Sequence, residues 1–236
     1  MKRLAVLLLA SCAACATVPE RTMAVPVPEA VAQVDPDDLL DFDDPVGSED
    51  NLRELLDGAD GDYRLEVLTQ IARAQGLQGR YDEAHKTLDT VEGALEGVDP
   101  RVRVRYLLER GRVLNSSGKP EEGAPLFIEA FELAQRRDLA GLAIDAAHMV
   151  AIARQGTPDE LAWGLKGLAL AEASEDPDAQ GWLGPLYNNL GWTYHEAGQF
   201  EQALDLFQKG LAVRRAQDDE GSVYLARWAV ARCLRS

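Results

Sequence analysis

Three histidines and three cysteines are the side chains of this 236-residue sequence best suited to metal binding or nucleophilic chemistry, so their spacing comes first. His85, His148 and His195 stand far apart and none belongs to an HExxH or similar run, whereas a zinc site draws its ligands from short, regular intervals. Glu121 with Glu122, and Asp218 with Asp219 and Glu220, are clustered acids of the kind general acid-base chemistry uses. Each cluster sits where a helix starts or turns, which is also where solvated carboxylates belong. There is no GxSxG nucleophile signal, and no glycine-rich phosphate loop following a strand pattern. Catalytic residues, metal ligands, cofactors and a small-molecule substrate are therefore expected nowhere in the chain, and the protein is read as a non-enzyme.

The cysteines point to a different chemistry. The opening "MKRLAVLLLASCAAC" has a basic start at Lys2 and Arg3, then an apolar run far too short to span a bilayer, then small residues at a cysteine. This is an export signal over residues 1–11. Its end, Leu9, Ala10, Ser11 and Cys12, resembles the lipobox of bacterial lipoproteins, which implies that Cys12 becomes the lipidated N-terminus. Cys15, preceded by Ala13 and Ala14, is the alternative site. The residue after either cysteine is Ala rather than Asp, and in lipoproteins of two-membrane bacteria that resemblance implies delivery to the outer membrane, facing the periplasm. Acyl chains (palmitate among them) contribute about 0.8 kcal/mol per buried methylene, so several together hold a protein at the bilayer. Only Cys233 lies further on, so no internal disulfide framework is expected.

With 40 acidic against 24 basic residues and a formal charge of -16, the chain lacks the clustered Lys and Arg that a phosphate backbone demands. No nucleic-acid partner is expected. After the signal, residues 12–50 read as a lipidated cysteine and a disordered tether. Pro19, Pro26, Pro28, Pro36 and Pro45 interrupt helices, and repulsion among Asp35, Asp37, Asp38, Asp41, Asp43 and Asp44 favours extension. A flexible coil of this length reaches roughly 30 to 35 Å. Within it "DDLLDF" offers Leu39, Leu40 and Phe42 as anchors for a partner, although a solvated linker with a few apolar residues accounts for them too.

Beyond the tether the sequence repeats itself. In "YNNLGWTYHEAGQFEQALDLF" a first helix carries Leu190, Gly191 and Tyr194, and a second carries Ala203 and Phe207. The same skeleton recurs as Leu68, Ile71, Ala72, Gly79, Tyr81, Ala84 and Leu88. It recurs again as Leu107, Gly111, Leu114, Gly118, Gly123, Phe127 and Ala130. A weaker copy keeps Ile152, Gly156, Leu165 and Leu168 but has Met149 where the others have a small residue. The copies start near residues 65, 104, 142 and 184.

These residues resemble the tetratricopeptide repeat, with the longer spacing of kinesin-light-chain-like members. The last copy fits best and departs at Gly210 and Arg215, where the pattern prefers Ala and Pro. The resemblance covers residues 62–236 and implies an all-α fold: a right-handed α-solenoid of stacked helix-turn-helix hairpins, closed by a capping helix over residues 221–236. In that helix Tyr224, Leu225, Trp228 and Val230 are expected to pack, and Arg227, Arg232 and Arg235 to face water. Packed helices approach to about 8 to 10 Å, so small residues at Gly191 and Ala203 let them close while Leu190, Tyr194, Phe200 and Phe207 fill the space around. One hairpin cannot bury such a face alone, so hairpins stack.

Stacked hairpins form a groove lined by their first helices. The resemblance implies a groove that holds an extended peptide, with Asn side chains bonding its backbone. By register the groove-facing residues are Arg73, Arg105, Arg112, Asn115, Asn188, Asn189, Trp192 and His195, and Asn189 matches the peptide-gripping position. Three inward arginines in so acidic a chain make an acidic segment the expected ligand. The function expected is a scaffold or adaptor, lipid-anchored in the envelope, that binds a protein partner during assembly of an envelope complex. The alternative is an accessory or regulatory subunit that docks an envelope enzyme through its convex face.

Overall fold

The computed structural model describes residues 34–217 and 220–236. The expected export signal, Cys12, Cys15 and the first half of the expected tether lie outside the described residues. Among the described residues there is no strand. A 3-10 turn, Pro36–Leu39, leads into α1 (Pro45–Asp57) and then four hairpins. These are α2 (Gly61–Leu77) with α3 (Tyr81–Glu92), α4 (Pro100–Ser116) with α5 (Pro120–Arg136), α6 (Ala140–Ala153) with α7 (Pro158–Ala173), and α9 (Leu183–Glu196) with α10 (Phe200–Ala216). A short α8 (Pro177–Gly181) precedes the last pair, and α11 (Glu220–Cys233) follows it.

The register of the hairpins is set at their turns. Gly79, Gly118, Gly156 and Gly198 all have positive φ, between 73° and 85°, a conformation only glycine adopts without strain. In the first, second and fourth hairpins the next N–H reaches back five residues to close the helix end, as in Gln199 N–H to the Tyr194 carbonyl at 2.9 Å. Each turn glycine stands seven residues after Ala72, Gly111, Met149 and Gly191 respectively, which places the weak third copy in line with the others.

Those small residues make room for a ring. A Cβ on Gly191 would sit 2.5 Å from the Phe207 ring, and one on Gly111 would sit 2.5 Å from the Phe127 ring. Across the second hairpin a Cβ on Gly123 would stand 2.8 Å from the Gly111 carbonyl. Phe127 and Phe207 are almost completely buried, each stabilising the stack by about 1.5 to 3 kcal/mol. Phe200, expected to share this task, is 41% exposed.

In the third hairpin Met149 is buried and lines the cleft between the first helices, and α7 turns glycines inward. Gly164, Gly167 and Leu168 are buried, and a Cβ on Gly164 would stand 2.8 Å from Leu190. Leu165 and Ile152, read as core from the sequence, are 41% and 39% exposed.

Both ends of the stack also differ from expectation. Residues 35–50 are not an extended tether. Asp35 caps the 3-10 turn that begins at Pro36, and Asp44 accepts a hydrogen bond from Gly47 N–H at 2.9 Å to start α1 at Pro45. A proline in the first helical position after Asp starts a helix rather than preventing one. Leu52 of α1 is fully buried against Val67 and Ile71, and buried Glu49 binds Arg53 and Arg80, each at 2.7 Å. At the other end α11 lies on α10 through Ala226, Ala229 and Cys233, whose small side chains allow close approach. Tyr224 and Leu225 consequently point outward, 70% and 62% exposed, whereas Trp228, 50% exposed, sets its ring 5.7 Å from that of Trp192, and Val230 packs as expected beside Phe207 and Ala229.

Candidate partner-binding groove

The first helices α2, α4 and α6, with Trp182 and Pro185 before and within α9, enclose a cleft of about 570 Å³. The chain's own residues 37–42 form part of its wall: Asp37, Leu40 and Phe42 line it beside Arg73 and Arg105.

Arg105 and Arg112 are seven residues apart on α4 and so share a face. Arg105 is 2% exposed, and it meets Asp37 Oδ1 at 2.6 Å, Asp35 Oδ1 at 3.1 Å and Glu66 Oε2 at 3.3 Å. Arg101 joins it on Asp35 Oδ2 at 2.8 Å. Arg73 donates to Glu109 Oε1 at 3.2 Å, with its guanidinium 5.4 Å from the centre of the Phe42 ring. Arg112 lies between Glu109, with which it forms a short hydrogen bond, and Asp145, whose Oδ2 is 2.5 Å away. Burial pushes the Asp37 carboxyl up, but the hydrogen bond and charge of Arg105 outweigh it and hold the group below its ordinary 3.8. Burial likewise opposes the charge on Arg105 and Arg112, and the facing carboxylates more than compensate, so both stay protonated more firmly than a free arginine.

The acidic ligand expected for these arginines is thus supplied from within. Asp35, Asp37, Glu66, Glu109 and Asp145 neutralise Arg73, Arg101, Arg105 and Arg112, and no unpaired guanidinium is left among these four. Sequence reasoning missed the whole acidic half of this network. Two local signals were available: the Asp-Pro pairs at residues 35–36 and 44–45, and the spacing of Glu109 at four residues from Arg105 and three from Arg112.

The other expected groove residues divide between two places. Asn189 and Trp192 line a second cleft of about 330 Å³, between α6, α7 and α9, with His148, Ile152, Glu160, Leu190, Thr193 and Glu196. Asn189 Nδ2 lies 2.6 Å from His148 Nε2, and its Oδ1 accepts from Asn188 Nδ2 at 3.2 Å. Trp192 stacks edge-on to Phe207 at 4.9 Å. His195 turns toward the C-terminal end, 2.8 Å from Ser236 Oγ and 5.1 Å from the Phe200 ring. Half-buried Asn115 lines neither cleft.

The second cleft follows from the irregular third hairpin. Where α2 packs directly on α4, α7 and α8 lie between α6 and α9, and the first helices part there. The three histidines keep apart: His85 meets Arg110 at 2.9 Å on α3, His148 lies on α6 and His195 on α9. Burial pushes His148 below its ordinary value, with Arg112 and Arg73 adding to the effect and Asp145 opposing it.

Residues 161–216 match the tetratricopeptide repeat family, a span that takes in most of α7 and runs through α10. No curated protein matches the chain. Among solved structures, the nearly identical TPR-like repeats of a Podosopora anserina protein described as a kinesin light chain share 18% identity with it. They align over 75% of this chain and 88% of that one, with a TM-score of 0.58. BtubC (BKLC) of P. vanneervenii is 12% identical over 82% of each chain, with a TM-score of 0.61. A Signal Transduction ATPase with Numerous Domains from Pyrococcus horikoshii, which has a tetratricopeptide repeat sensor, is 14% identical over 81% of this chain, with a TM-score of 0.64. The chain corresponds to only 30% of that protein's length. At these identities the likeness is one of fold.

Proposed function

We propose that this protein, a solenoid of tetratricopeptide repeats, is a non-enzymatic interaction scaffold that binds an extended segment of a protein partner along its first helices. The observation that carries the reading is the seat of residues 35–42, where an acidic, aromatic stretch of chain lies against Arg73 and Arg105 as a partner's segment would. A partner of that chemistry exchanges with the internal segment. Its place of work is the periplasmic face of the outer membrane, held by lipid on Cys12, where it assists assembly of an envelope complex. The leader sequence supports this placement, and fatty-acid labelling tests it: Cys12→Ala is expected to abolish incorporation of radioactive fatty acid and Cys15→Ala to leave it, and the opposite pattern would move the lipid to Cys15.

The binding test uses a labelled synthetic peptide with the sequence of residues 34–44. It binds a variant whose own segment is loosened by Asp35→Asn, Asp37→Asn and Phe42→Ala, and binds the parent far more weakly. Capture of the peptide by neither protein, or by both equally, overturns the groove reading.

A further inference from the structure

The two clefts differ in charge. The larger one is lined by three arginines already matched by carboxylates, whereas the smaller is lined by no Lys or Arg. It does carry Glu160 and Glu196. Glu160 accepts hydrogen bonds from Thr193 Oγ1 at 2.7 Å and from Gly156 N–H at 2.6 Å, which orient it without cancelling its charge. Glu196 is exposed, and among the described residues no cation pairs with either carboxylate. His148, also in the lining, is held toward its neutral form by burial. Leu190, Ile152 and Trp192 share the lining with the two carboxylates and supply apolar surface suited to an aliphatic stem.

We infer that the cleft between α6, α7 and α9 is a pocket for a basic side chain of the partner segment, an arginine or lysine. Its methylenes lie along Leu190 and Ile152, its cation reaches Glu196 and Glu160, and Trp192 offers a ring face to the charge. The inference rests on the scaffold reading and assigns the partner's chemistry at the end of the groove that the internal acidic segment does not reach. Charge complementarity favours this occupant: a carboxylate entering here would meet two others with no cation in the lining, and a purely apolar side chain would leave both without a counter-charge.

The test titrates acetylated, amidated heptapeptides, Gly-Ser-Leu-X-Leu-Ser-Gly, into the isotopically labelled full chain and follows the indole N–H resonance of Trp192. With X as arginine the resonance shifts saturably, and the affinity falls as salt is added. With X as norleucine or glutamate the binding is weaker by about tenfold or more, the size expected for a close charge pair. Glu196→Gln, at an exposed site with no partner to lose, weakens the arginine peptide by a similar factor and leaves the unfolding temperature unchanged. Equal binding of the three peptides, or an unaltered affinity in Glu196→Gln, overturns the proposal. The acidic peptide of residues 34–44 separates the two ideas: if the loosened variant still captures it while no basic peptide binds, the pocket fails and the scaffold stands. If neither is bound, both fail.

Discussion

Gly191→Ala adds a single methyl group, and two opposing effects decide its outcome. In a helix interior alanine is favoured over glycine by about 0.8 to 1 kcal/mol. The new Cβ, however, would lie 2.5 Å from Phe207 Cε1 and 2.7 Å from Cδ1. That ring has little room to retreat, being 2% exposed and packed edge-on to Trp192 at 4.9 Å. Overpacking costs about 1 to 3 kcal/mol, and a Cβ this close to a ring with no room to retreat takes the upper part of that range, about 2 to 3, so the net loss is about 1 to 2 kcal/mol. In a domain of this size that lowers the unfolding midpoint by about 2 to 8 °C. The first hairpin shows how the clash is relieved, since it pairs Ala72 with Leu88 at the equivalent positions, both fully buried. Phe207→Leu should therefore destabilise the parent through the space it leaves but improve Gly191→Ala, with a coupling of about 1 to 2 kcal/mol in the double-mutant cycle. Thermal and urea unfolding followed by circular dichroism measure all four proteins. A Gly191→Ala variant as stable as the parent, or strictly additive effects, would refute the ring-in-glycine account of the hairpin.

Three further outcomes follow from the same structure. Arg112→Met leaves Glu109 and Asp145 buried without their shared cation and destabilises the fold by about 3 to 5 kcal/mol in urea titration; neutralising both acids as Gln and Asn recovers much of the loss. Asp37 has its folded pKa lowered below 3.8, so its contribution is present above the unfolded value and is lost as pH falls through the lower folded one. Stability of the parent therefore drops more steeply than that of Asp37→Asn in the range below about pH 4, read by unfolding midpoints across that range. Gly118→Ala, at a φ of 85°, costs about 1 kcal/mol and Gly118→Asn less, a ranking that chemical denaturation resolves.

The hairpins were legible because their information is local. The turn glycines, the small residues seven positions earlier and the ring or leucine nine positions after the turn all recur within a stretch shorter than one repeat, and each has one physical job. Arg73, Arg105 and Arg112 were legible as inward residues for the same reason. Their partners were not. Asp35 and Asp37 look like a self-repelling run until Arg105, 70 and 68 residues away, is brought alongside, and composition carries no sign of such a pairing. Leu165 and Ile152 misled because α7 packs through Gly164 and Gly167, against Leu190, Ala147 and Leu186, which leaves the larger neighbour outside. Tyr224 and Leu225 misled because hydrophobicity pointed to the large residues, whereas close packing on α10 selects Ala226, Ala229 and Cys233.

The seat of residues 35–42 also fixes an order of events. These residues leave the ribosome before any hairpin does, yet Arg105 is made some 70 residues later, and α4 must already rest on α2 before it can present that guanidinium beside Glu66. The earliest part of the domain to be synthesised is therefore among the last to settle, because contacts so distant in sequence wait for the loops between them to close. Until then the acidic stretch is an open strand of chain that a protease can cut; afterwards it is held down. Its resistance to cleavage becomes a clock for assembly, reporting from the first residues of the domain that the first two repeats have joined.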